Sequence, residues 1–214
     1  MLNINDIIPK AIVTIVFLFT ISMQAQFPIL RTVSYSQTRL VNYSYQNGDY
    51  IKDTSDQLNS YIGTWKYFGT NKILTLKLVR INQFFSKIIP TSSYYYYIDQ
   101  IVLTYKLEDN NGNIIFDNTN ITPTNQFVIG NGIGSYLSGK EDANYINGIF
   151  QDFTTNVLVS RCEISKVATA TGQPEKIFFK LFKNHSSYMS TPSNYQPGVT
   201  PFFSVPNNIE LIKQ

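Results

Sequence analysis

Apolar and polar side chains alternate with a period of two along most of the chain beyond residue 60, the pattern of strands with one buried face. In KILTLKLVRI (72–81), Leu74, Leu76 and Leu78 share one side, and Thr75 and Lys77 the other. The run IVLTYKLED repeats this, with Ile101, Leu103, Tyr105 and Leu107 alternating with Val102, Thr104, Lys106 and Glu108. Asn110, Asn111, Gly112 and Asn113 then supply residues that tolerate positive φ, which predicts a hairpin into NIIFDNT. NVLVSRCEIS and EKIFFKLF flank a loop marked by Gly172 and Pro174 and predict a second hairpin. In its first arm Leu158, Ser160, Cys162 and Ile164 share the inward face. GTWKYF, QFVIGNG (126–132), YINGIFQDF and NNIELIK bring the total to about eight or nine strands. Only DTSDQLNSYI suggests a helical turn, with Asp53 as N-cap and Leu58 and Ile62 on one side. The expected fold is all-β: a meandering antiparallel β-barrel, with a β-sandwich as the alternative.

The first residues break the alternation. Lys10 precedes the apolar run AIVTIVFLFTI, too short to span a bilayer with ease, and SMQAQ follows with the small Ala25. This predicts a signal peptide over residues 1–25, cut between Ala25 and Gln26. The mature chain is then exported, periplasmic or secreted, with no membrane span left after cleavage. Residues 26–49 read as a weakly ordered extension, and 50–214 as a single all-β domain.

Composition narrows the chemistry. The chain has 214 residues, of which 43% are hydrophobic and 14% aromatic, so it can bury a core and is not disordered. Seventeen basic against 14 acidic residues give +3, without the concentrated basic face that nucleic acid requires. One His and one Cys leave no material for a metal cage, a disulfide framework or a histidine triad. His185 lies in a polar loop, and Gly130, Gly132 and Gly134 do not have dinucleotide-binding spacing. The carboxylate neighbours Glu108 with Asp109, and Glu141 with Asp142, point to opposite faces of a strand rather than at one bond. The chain is therefore expected to be no enzyme and to use no cofactor or metal. Cys162, on an inward face, is expected to be buried and inert.

Gly63, Thr64 and Trp65 follow the helical turn directly. This junction resembles the opening of lipocalin-type (calycin) barrels, in which Gly-x-Trp starts the first strand after one helical turn. The resemblance implies structural roles for Gly63 and Trp65: the indole plugs the closed end of the barrel beneath a basic side chain of the final strands, with Lys183 and Lys213 as candidates. Residues 47–214 also resemble a family of small exported bacterial proteins of unknown function, through NGDYIKDTSDQLNSYIGTWKY and SVPNNIELIK. That resemblance implies no activity.

Binding candidates are aromatic. In the run Tyr94 to Tyr97, alternation puts Tyr95 and Tyr97 on the face of Ile101 and Leu103, and Tyr94 and Tyr96 outward, where they can stack on a sugar or hold a partner chain. Tyr105 and Phe179 point into the barrel. The expected function is a non-enzymatic binding module that holds a small apolar ligand in a lipocalin-like barrel. The alternative is an envelope interaction or structural protein that docks a partner through an aromatic strand face or a sheet edge. A roomy dry interior favours the first, and an interior filled by side chains the second.

Overall fold

The computed structural model describes residues 27–39, 44–87, 93–123, 135–139, 144–155, 157–182 and 202–214. Among these the strands are β1 (Arg31–Ser34), β2 (Asp49–Lys52), β3 (Gly63–Phe68), β4 (Lys72–Lys87), β5 (Tyr95–Asp109), β6 (Ile114–Asp117), β7 (Ser135–Gly139), β8 (Tyr145–Asp152), β9 (Val157–Val167), β10 (Lys176–Leu181) and β11 (Ile209–Lys213). Eight of them close into a barrel in the order β3-β4-β5-β7-β8-β9-β10-β11, every neighbouring pair antiparallel. The meander therefore forms a barrel and not a sandwich. Closure rests on two short seams: Lys66 and Trp65 opposite Ile212 and Lys213, and Ile101 to Leu103 opposite Leu137 to Ser135.

Both expected hairpins form. β5 and β6 turn through Gly112 at φ 83°, and β9 and β10 through Gly172 at φ 83°, a conformation that favours glycine. The inward residues Leu74, Leu76, Leu78, Ile101, Leu103, Tyr105 and Leu107 belong to one continuous core with Phe150, Cys162, Ile164, Ile177, Phe179 and Leu211. β9 departs from the expected alternation. Gly148 pairs with Cys162 but Phe150 with Val159, so β9 carries an extra residue between these pairs. The bulge exchanges the faces, so Val157 and Val159 point inward and Leu158 does not. The expected strand at 126–132 lies outside the described residues.

β4 and β5 run on past the barrel. β3 pairs with β4 only as far as Leu78, whereas β5 accompanies β4 to Lys87. Beyond the barrel β2 pairs parallel with β5 at Tyr96 to Ile98, and β1 pairs parallel with β2, which gives a four-stranded wing in the order β1-β2-β5-β4. Residues 31–34, within the stretch read as a weakly ordered extension, are the outer strand of this wing. A second, smaller cluster of Val33, Tyr35 and Ile51 packs its outer face together with Tyr96 and Ile98.

Candidate functional site

The wing emerges from the end of the barrel that the start of β3 plugs, and the plug is built from local sequence. Gly63 has φ 133°, which disfavours any side chain, and the chain enters β3 there from the 3-10 turn Gln57–Tyr61. Leu58, Tyr61 and Trp65 are buried beneath the turn, and the Trp65 indole N–H donates to the Tyr61 carbonyl at 2.8 Å. Asp53 secures the turn from upstream: its carboxylate accepts the amides of Gln57 at 3.0 Å and Leu58 at 2.9 Å. Asp56, at φ 58°, holds the N-cap position itself without a side-chain capping bond. Lys213 places its ammonium 5.4 Å from the centre of the Trp65 ring, and Lys166 adds a second at 5.5 Å. Both ammonium groups reach Glu175, at 2.7 and 3.7 Å. Burial and the charge of Lys213 lower the Lys166 pKa, and the bond from Lys213 lowers that of Glu175. Lys183 lies outside the described residues.

Below the plug, on the wing face continuous with the barrel interior, lies a polar clasp. Between Ile81 and Phe84 the β4–β5 register shifts by a bulge with Gln83 at φ 53°. The shift opens the ladder beside buried Asp99, whose carboxylate accepts the Gln83 amide at 3.1 Å, the Asp53 amide at 3.1 Å and the Tyr50 hydroxyl at 2.7 Å. The hydroxyl of Tyr35 donates to the Asp99 carbonyl. Arg80 approaches Asp99 at 3.5 Å, Asp53 at 3.7 Å and Asp56 at 2.5 Å. Burial opposes the Arg80 charge, but these three carboxylates outweigh it and hold its pKa above the ordinary value. Asp56 is correspondingly lowered by its bond to Arg80, and Tyr50 is raised by burial and by Asp99.

Further along the same face is an aromatic cage. The bulge transfers the inward parity from Leu78 and Arg80 to Phe85 and Lys87, which therefore share a face with Tyr97 and Tyr95. Phe27 covers this face, its ring centre 4.9 Å from Phe85 and 5.0 Å from Tyr95, with the Lys87 ammonium at 4.7 Å. The Tyr97 hydroxyl donates to the Phe27 carbonyl at 2.6 Å, and the Tyr95 hydroxyl to the Pro28 carbonyl at 2.8 Å.

Of the sequence candidates, the structure thus brings Tyr95 and Tyr97 together in the cage. Tyr94 and Tyr96 are half-buried instead of standing free, Tyr96 because the side chains of Val33, Tyr35 and Ile51 pack beside it on the outer face of the wing. Tyr105 is elsewhere, fully buried in the barrel, with its hydroxyl accepting the Phe153 amide at 3.0 Å and its ring against Phe116 and Phe150. Cys162 is buried and unpaired, and burial raises its pKa, with the charge of Glu163 adding to the effect. Residues 1–25, His185, Gly130, Gly132, Gly134, Glu141 and Asp142 lie outside the described residues. Among the described residues no group of three His, Cys, Asp or Glu side chains can hold a metal ion, and no helix is long and apolar enough to cross a membrane.

Sequence reasoning missed Phe27, Phe85, Arg80 and Asp99. The one local signal was the breakdown of alternation at Asn82 and Gln83, two polar residues in succession before Phe84 and Phe85. A model of a family described as a family of unknown function (DUF6705) matches residues 8–214. No curated protein and no solved structure matches the chain.

Proposed function

The chain belongs to this family of unknown function, and we propose that it is an exported, non-enzymatic docking module of the cell envelope whose wing engages a partner polypeptide. The observation that carries this reading is the wing itself. Beyond Leu78, β4 has no ladder partner on the side facing away from β5 among the described residues, so that edge turns main-chain donors and acceptors outward. Such an edge accepts an added strand by main-chain hydrogen bonds. Asn82 and Gln83, at its middle, are exposed.

The interior supports the ligand-holding alternative less well. Trp65, Tyr105, Phe150 and Phe179 are among the fully buried side chains in one continuous core, with none of the exposed surface that a ligand-sized void beside them requires. Small barrels commonly fill in this way.

Photo-crosslinking in the producing cell tests the proposal. A crosslinker at Asn82 or Gln83 is expected to trap one protein species, and one at Ile114 or Glu210, away from the wing, none. Native mass spectrometry of the protein from its own compartment is expected to show no bound small molecule. Equal trapping from the wing and from these other positions, or a stoichiometric co-purified small molecule, overturns the docking reading.

A further inference from the structure

We infer that the face formed by Phe85, Tyr95 and Tyr97 is a docking site for an extended peptide bearing an aromatic–proline pair, and that Phe27–Pro28 is its occupant in cis. The inference rests on the docking reading of the wing and names what the partner presents there. Three features of the cage are those of a peptide site. Its two hydroxyls donate to consecutive main-chain carbonyls, Phe27 at 2.6 Å and Pro28 at 2.8 Å, groups that any extended segment offers. An aromatic pocket formed by Phe85 and Tyr95 takes one aromatic side chain, and Lys87 lies over that ring at 4.7 Å. Proline suits the position after the aromatic, because it donates no N–H and biases the preceding residue to extended backbone, which lowers the ordering cost of binding. Aromatic-lined grooves read proline-containing segments on this principle.

The cis occupant is held lightly. Pro28, Ile29 and Leu30 are all exposed, Leu30 at 67%, so the segment buries little beyond the Phe27 ring. The segment ends at firmer anchors, the main-chain bond from the Leu30 amide to the Gly48 carbonyl and the two-point ion pair of Arg31 with buried Asp49 at 2.8 and 2.7 Å, so the part free to lift is Phe27 to Ile29. Segments with few buried contacts open at a small fraction of the global unfolding free energy. A partner segment of the same chemistry therefore competes with Phe27–Pro28, and its apparent affinity is reduced by the fraction of time the cage is filled in cis.

The test uses the full exported chain and a fluorescent acetylated peptide of residues 26–31, QFPILR. Phe27→Ala empties the ring pocket without altering the cage, and it is expected to bind the peptide at least tenfold more tightly than the unmodified protein does. Adding Tyr97→Phe to that variant is expected to weaken binding about fivefold, the scale of one hydrogen bond. Replacing the peptide's proline by alanine also weakens it. Trp65 emission, reporting on the barrel plug outside the cage, shows whether each variant stays folded; should Phe27→Ala lose its fold, Phe27→Leu serves in its place. A folded Phe27 variant that binds no better than the unmodified protein overturns the inference, as does binding insensitive to Tyr97→Phe. A dimer of unmodified chains that disappears in Phe27→Ala also overturns it, since the occupant is then the arm of a second copy. Cross-links from Asn82 or Gln83 that persist while the peptide fails to bind leave the docking reading standing and remove only this one.

Discussion

Trp65 is held in three ways at once: buried against Leu58 and Tyr61, bonded through its indole N–H to the Tyr61 carbonyl at 2.8 Å, and covered by the ammonium groups of Lys213 and Lys166. Trp65→Ala is expected to cost about 3–5 kcal/mol, as for other buried aromatics, measured as a shift in the urea midpoint. Trp65→Phe keeps much of the packing but leaves the Tyr61 carbonyl without its donor, about 1–3 kcal/mol. An alanine variant with an unchanged midpoint removes the plug role. Gly148 is as exacting for a different reason. A Cβ there lies 1.9 Å from the Tyr136 carbonyl oxygen, a backbone atom that cannot move without parting β7 from β8. Gly148→Ala is accordingly expected to lower the melting temperature more than any single surface change, and a melting curve that overlays the unmodified one refutes the close approach. In sequence Gly148 is one isolated glycine within a strand, a signal of close backbone approach that does not say which backbone.

At the scale of elements, the Asp99 clasp decides whether the wing is part of the sheet or a frayed end. The bulged β4, the Lys52–Asp53 connection and β2 all donate to one carboxylate, through the Gln83 amide, the Asp53 amide and the Tyr50 hydroxyl. Asp99→Ala strands two buried donors, the Tyr50 hydroxyl and the Asp53 amide, and the part-buried Gln83 amide, and removes a partner of Arg80, which predicts a loss of about 3–5 kcal/mol, the range for breaking a buried ion pair. Hydrogen exchange is expected to show β1, β2 and the far half of β4 losing protection first, while β9 and β10 keep theirs; uniform loss over both regions contradicts a local clasp. The same elements mark what was legible beforehand. Period-two alternation in residues 72–81 and 101–109 was enough to locate β4 and β5, because each turns one apolar face to a common core. It located neither the bulge nor the clasp, since Arg80 and Asp99 meet only through the pairing of two strands, and a one-residue shift inverts every face beyond it. Tyr96 illustrates the consequence: alternation placed it outward correctly, but β1 and β2, whose side chains Val33 and Ile51 pack beside it, lie in a stretch without strand periodicity.

The molecule as a whole is a barrel closed by two short seams, and its second edge along β5 is shared among three strands: β2 at Tyr96 to Ile98, β7 at Ile101 to Leu103, and β6 at Lys106 to Glu108. The outer face of β5 is buried too at Val102 and Thr104, where alternation predicted solvent, so this strand is the axis on which barrel, wing and hairpin depend. Its surroundings are rich in buried phenols. Burial raises Tyr61 and Tyr136 to about 12, and Tyr50 and Tyr105 are raised as well, Tyr50 also by Asp99 and Tyr105 also by Asp152. An unfolded tyrosine ionises near pH 10. Folded pKa values above the unfolded one mean that the folded chain holds these protons while the unfolded chain releases them. The stabilisation is thus complete below about pH 10 and is lost as pH rises through the folded values. The urea midpoint is expected to stay level up to about pH 10 and then fall steeply toward pH 12. In parallel, tyrosinate absorbance of the native protein at about pH 11 should remain well below that of all 15 tyrosines, and should jump when denaturant is added. Full ionisation at that pH with an unchanged circular dichroism spectrum contradicts the burial of these rings. Tyr61→Phe tests the attribution directly, because it removes a titrating group without emptying the plug, and so should delay the alkaline transition while leaving the neutral midpoint nearly where it was.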